Sequence, residues 1–125
     1  MAKKILVIDD EEILIKTFSH LLEKQGYEVL FALRGPDAMA LAEAEDFDLV
    51  LSDIRLPGQN GVEIVRNIYE LLKKEKRNCP AVIFITGYAD QDLERQAKEL
   101  NPIAFLSKPF DTLKLLKLIK EKIGK

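Results

Sequence analysis

The chain has 125 residues, 47% hydrophobic and 32% charged, with 19 basic against 21 acidic side chains and a formal net charge of −2. That length fits one domain, 1–125, burying roughly two-thirds of the surface its unfolded form exposes, and the composition excludes a disordered chain. The near-neutral balance excludes the overall positive field of a nucleic-acid binder, and no segment reaches the ~20 apolar residues of a membrane span.

The opening MAKKILVIDD carries two lysines, but its apolar run is short and ends in carboxylates, unlike a signal peptide. A cytoplasmic protein is therefore expected. Lys4 to Ile8 is predicted as the first strand. Leu14, Phe18, Leu21 and Leu22 come next at helical spacing, and Gly26 suits the position just past that helix's end. The lone His20 lies on this helix, far from any ligand partner, and is expected to be a partly exposed surface residue. Tyr27 to Ala32 is the second strand, and Pro36 suits the first turn of the second helix. Asp48 to Ser52 is the third strand; Ile64, Val65, Ile68 and Leu72 mark the third helix. The cluster Lys73, Lys74, Lys76 and Arg77 is expected to be the solvated last turn of that helix, where cations suit the dipole. Cys79 is the single cysteine. It cannot form an intramolecular disulfide, in keeping with a reducing compartment, and it precedes the fourth strand, Ala81 to Ile85. The fourth helix, about Asp90 to Leu100, offers only Leu93, Ala97 and Leu100 as an apolar stripe and is expected to be the least firmly packed. Ile103 to Leu106 is the fifth strand, and Asp111 is the candidate N-cap of the fifth helix.

Five apolar runs alternating with five helical patterns predict a doubly wound α/β domain, a three-layer (βα)5 sandwich around a parallel sheet buried on both faces. The informative residues are those just past the end of each run. Asp9, Asp10, Glu11 and Glu12 succeed the first, Asp53 the third, Thr86 the fourth and Lys108 the fifth; nothing comparable succeeds the second. In an open parallel sheet the carboxyl ends of the strands share one edge, and ligands bind where strand order reverses. A strand order of 2-1-3-4-5 sets the first and third strands side by side and leaves the barren second strand at an edge.

Asp9, Asp10 and Asp53 are then within a few ångströms of one another, and like charges that close cannot all stay ionised unassisted. Lys108 supplies one positive charge. Oxygen ligands without a Cys/His cluster point to a hard divalent ion, Mg²⁺ first and Mn²⁺ as a substitute. Carboxylates, a cation, an ammonium and a hydroxyl form a set that can hold a phosphoryl group while a carboxylate attacks it. The loop after Asp53, IRLPGQNG, has Pro57, Gly58 and Gly61 to turn the backbone sharply and present its amides.

On these residues the sequence resembles, over essentially its whole length, the receiver domain of two-component response regulators, a CheY-like, flavodoxin-like fold. The resemblance rests on the joint pattern of an acidic pair after the first strand, DxxLPGxxG after the third, a threonine after the fourth and Lys-Pro after the fifth. It implies the 2-1-3-4-5 order and phosphoryl transfer to Asp53 from a phosphohistidine on a sensor histidine kinase or phosphotransfer protein. It further implies Mg²⁺ held by Asp10, Asp53 and the Arg55 backbone carbonyl, with Asp9 acting through water and Lys108 paired with the phosphoryl oxygens. Thr86 is expected to move onto the new phosphoryl group and Phe105 to rotate inward behind it; a core aromatic is the competing role for Phe105. The Lys108–Pro109 bond is expected to be cis. The resemblance also places bulky Arg55 and Tyr88 at the family's variable rate-setting positions, where they can crowd the approach of water, so slow loss of the phosphoryl group is expected.

Each residue also has a plain explanation. Asp9 or Asp10 can cap the first helix, Asp53 can form a turn, and Lys108 can be a solvated charge. An aspartyl phosphohydrolase is the enzymatic alternative, but its DxD pattern after the first strand is replaced here by DDEE, so catalytic turnover of a separate substrate is not expected. The other alternative is a receiver-like adaptor that binds partners without phosphorylation, against which the complete acidic set argues. A flavin or dinucleotide binder lacks its GxGxxG. The resemblance implies readout by an output protein or output domain at about Asp90 to Lys122; a homodimer through that face is compatible with the sequence.

Overall fold

The computed structural model describes residues 2–87 and 90–124. In chain order the elements are β1 (Lys4–Ile8), α1 (Glu12–Lys24), β2 (Glu28–Ala32), α2 (Gly35–Ala44), β3 (Leu49–Asp53), β4 (Arg55–Leu56), β5 (Gln59–Asn60), α3 (Gly61–Lys74), β6 (Ala81–Thr86), α4 (Gln91–Lys98), β7 (Ala104–Ser107) and α5 (Thr112–Ile123). Five strands form one sheet in the order β2-β1-β3-β6-β7, every pairing parallel. Counting the five long strands alone, this is the expected 2-1-3-4-5. The sequence signalled only a sharp turn where β4 and β5 pair antiparallel, Arg55 with Asn60 and Leu56 with Gln59. Gly58 closes that hairpin at φ 78°, a left-handed conformation glycine adopts without a Cβ clash.

The uniformly apolar central strands are explained by two separate cores. Leu6, Ile8, Val50, Val82 and Phe84 face Ala38, Ala42, Val65, Ile68 and Ala97 of α2, α3 and α4. The alternate residues Ile5, Val7, Leu49, Leu51, Ile83 and Ile85 face Ile15, Phe18, Leu22, Leu115 and Ile119 of α1 and α5. A strand residue pointing either way meets a helix, so period-2 alternation disappears. The expectation of buried strands is corrected at the edges: Phe31 of β2 is 54% exposed, and Ala104, Phe105 and Leu106 of β7 are only partly buried. An edge strand has a neighbour on one side only, so its helices cover it incompletely.

Local signals place the helix ends. Gly26, at φ 93°, donates to the Glu23 carbonyl and Tyr27 to that of Leu22, the paired bonds that close a helix through a left-handed glycine. Asp111 accepts from the Leu113 amide at 2.9 Å, and Asp90 and Asn60 cap α4 and α3 in the same way. Helix α4 is the weakly packed one, with Ala97 its single fully buried residue. The basic cluster needs correction at Arg77, which folds back onto the end of α2. Its guanidinium donates to the carbonyls of Ala42, Glu43 and Glu45 and pairs with Asp46 and Glu75. Carbonyls at a helix end lack intrahelical partners, and Arg77 supplies them. Among the described residues no helix is long and apolar enough to cross a membrane.

Candidate functional site

The carboxyl ends of β1, β3, β6 and β7 meet at one sheet edge, where a cleft of about 390 Å³ is lined by Asp10, Glu11, Asp53, Arg55, Gly87 and Lys108. Among the described residues buried polar side chains are few, and Asp9, Asp53 and Thr86 are among them. Asp9 directly follows β1, Asp53 ends β3 and Thr86 ends β6. The Lys108 amide donates to the Thr86 carbonyl at 2.7 Å, extending the β6–β7 pairing as far as the lysine.

The two buried carboxylates are held alike. Asp9 Oδ1 accepts from the Glu11 amide at 2.9 Å, and Asp53 Oδ1 from the Arg55 amide at 3.1 Å. Each thus fixes one oxygen on the backbone two residues further on. The remaining oxygens face one ammonium: Lys108 Nζ lies 3.0 Å from Asp53 Oδ2 and 3.6 Å from Asp9 Oδ2. Glu11 Oε1 joins at 2.9 Å. Sequence reasoning assigned Glu11 no role, although it stands in the acidic run; it is the residue just before α1, which turns its side chain to the cleft.

Asp9, Asp10, Glu11 and Asp53 each offer an oxygen within 4.8 Å of the others. Four carboxylates around one ammonium leave the cluster strongly negative. Burial, the largest cause, pushes the Asp9 carboxyl up to about 6. The Glu11 amide and Lys108 pull it down; the charges of Asp53 and Glu11 push it up further. Burial alone would lower Lys108, but hydrogen bonds to Glu11 and Asp53 and the charges of Asp9 and Asp53 hold it above the ordinary lysine range. An all-oxygen donor set with uncompensated negative charge fits a hard divalent cation.

The raised Asp9 carboxyl makes stability depend on pH. A carboxyl whose folded pKa is raised stabilises the protein fully below its unfolded value, near 3.8, and loses that contribution as pH rises through about 6. In metal-free buffer at neutral pH, Asp9→Asn is expected to raise stability by about 1–3 kcal/mol. Urea denaturation measures it, and the advantage should shrink toward pH 4. Asparagine keeps an oxygen for the Glu11 amide, so a neutral or destabilising result at pH 7 would count against the charge explanation.

Phe105, on β7, is half-buried against Phe84, ring centroids 6.4 Å apart, so it already packs on the core. The Lys108–Pro109 peptide is cis. Arg55 lines the cleft and pairs with Asp90 at 3.0 Å. Tyr88 lies outside the described residues. Gly61 packs against the end of β3: a Cβ there would stand 1.9 Å from the Asp53 carbonyl oxygen and 2.6 Å from Ser52 Oγ.

Residues 5–120 match the response regulator receiver domain family. The chain is 32% identical over 124 residues to the polar-differentiation response regulator DivK of Brucella ovis, covering 99% of this chain and 98% of that protein. A CheY-like response regulator receiver domain protein from Methanospirillum hungatei superposes with a TM-score of 0.88 at 32% identity, over 98% of this chain and 94% of that one. A response regulator protein from Burkholderia pseudomallei, solved with a phosphorylated aspartic acid, a calcium ion and citrate, matches with a TM-score of 0.80 at 29% identity. That match covers 93% of this chain and 65% of the other.

Proposed function

The chain belongs to the response regulator receiver domain family, and from that premise we propose that it is a cytoplasmic phosphorelay switch whose phosphoacceptor is Asp53. The observation that carries this is the Lys108 ammonium 3.0 Å from Asp53 Oδ2 inside a four-carboxylate cluster. An Asp53 carboxylate oxygen attacks the phosphorus of a phosphohistidine on a sensor kinase or phosphotransfer protein. The P–O bond of an acyl phosphate forms as the P–N bond breaks, and the electron pair leaves with the imidazole. Asp10, Asp53 and the Arg55 carbonyl would hold Mg²⁺, with Asp9 acting through water. Bound there, the ion neutralises charge on the phosphoryl oxygens and lets the carboxylates crowd together.

Lys108 balances the other side of the phosphoryl group, held in place by Glu11 and by the Thr86 carbonyl behind it. The Thr86 hydroxyl hydrogen-bonds the product, and Phe105 moves inward from its seat beside Phe84, altering the face from α4 to α5 that an output partner reads. The relative bearing a phosphorylated aspartic acid and a calcium ion supports the same chemistry here. Intact mass after incubation with acetyl phosphate and Mg²⁺ tests the proposal. One phosphoryl group on the wild type, none without Mg²⁺ and none on Asp53→Asn is expected; an unmodified wild type that binds Mg²⁺ would sink it.

A further inference from the structure

Asp90 divides its two oxygens between two tasks. Oδ1 accepts from the Leu93 amide at 3.1 Å, capping α4, while Oδ2 accepts from Arg55 Nη2 at 3.0 Å. Arg55 is tied to the acceptor at its other end, since its amide donates to Asp53 Oδ1 and the residue borders the cleft. One residue therefore links Asp53 to the first turn of α4. That helix is loosely held: Ala97 is its one fully buried residue, and at its far end Glu99 meets Arg66 at 3.8 Å.

We propose that Arg55 is a second cation for the phosphoryl group, kept from it by Asp90, and that its exchange from Asp90 onto phosphoryl oxygens releases the start of α4. The inference rests on Asp53 being the acceptor. Phosphorylation adds roughly one negative charge and three strongly accepting oxygens in a cleft bordered by an arginine whose side chain is 52% exposed. The competing Arg55–Asp90 pair lies at the rim, and exposed pairs shift equilibria only a few-fold. The exchange is therefore near balance, which a switch requires. Asp90 is a positioning residue here, acting only through Arg55.

Asparagine separates the two tasks of Asp90, because its amide oxygen caps a helix as well as a carboxylate does but carries no charge. The probe is beryllofluoride, which with Mg²⁺ mimics an acyl phosphate on a carboxylate. Asp90→Asn is expected to keep the wild-type urea midpoint and bind beryllofluoride about 2–5-fold tighter. Arg55→Met should bind it several-fold more weakly, and adding Asp90→Asn to Arg55→Met should change nothing further. Asp90→Asn binding like wild type, or keeping its effect without Arg55, overturns the inference while leaving the acceptor assignment intact. A wild type that neither binds beryllofluoride nor takes up phosphate from acetyl phosphate overturns both.

Discussion

Gly61→Ala is expected to destabilise the protein by about 3 kcal/mol and to displace Asp53, while Gly58→Ala, three residues earlier, costs only about 1–2 kcal/mol. The difference lies in what surrounds each glycine. At Gly58 a Cβ meets nothing within 4 Å, so the cost is that of a left-handed backbone alone. At Gly61 the added carbon would sit 1.9 Å from the Asp53 carbonyl oxygen, and backbone cannot rotate away as a side chain does. The amide of Gly61 also donates to the Ile54 carbonyl at 2.7 Å, so retreat of α3 breaks a bond that fixes the loop after Asp53. Urea denaturation of the two variants, with equal m-values, checks the ranking. Phosphate uptake from acetyl phosphate should fall in Gly61→Ala and persist in Gly58→Ala. Equal destabilisation would mean that α3 gives way without cost.

Much of this was legible in the chain because the signals are local. Strand limits came within a residue of those observed, since each central strand is a continuous apolar run bounded by a charged or turn residue. Asp9, Asp53, Thr86 and Lys108 stood out as polar residues ending such runs, and parallel topology alone sends them to one edge. What escaped depends on partners distant in sequence or on ladders too short to show a period. The β4–β5 hairpin pairs two residues with two, which leaves no alternation to detect. Arg77 finds its carbonyls about thirty residues earlier in the chain, so by composition it was one more lysine-like charge. Arg55 and Asp90 are likewise separated by 35 positions. Phe31 reads as core from its type, and only its place on the edge strand exposes it.

Lys108→Met is expected to slow phosphorylation by acetyl phosphate on the order of 100-fold at saturating Mg²⁺, the scale set by removing one preorganised charge from a developing anion. The proposed role draws on what the side chain touches: Asp53 at 3.0 Å, Glu11 at 2.9 Å and Asp9 at 3.6 Å. Methionine keeps much of the alkyl length and discards the charge, so packing changes little while the carboxylates lose their shared partner. Stability should therefore fall by about 2 kcal/mol in metal-free buffer, below the roughly 3–5 kcal/mol typical of a fully buried pair because the cleft is open to water. Added Mg²⁺ should restore part of that loss, since a ligand bound only by the folded state stabilises it. Lys108→Arg supplies the discriminating control. A planar guanidinium restores charge but not the compact ammonium that reaches three carboxylates at once, so stability should recover further than rate. Time courses of intact mass give the rates, and a Lys108→Met rate within about threefold of wild type, far short of the loss expected for a preorganised charge, would remove Lys108 from the chemistry and leave it a structural counter-ion.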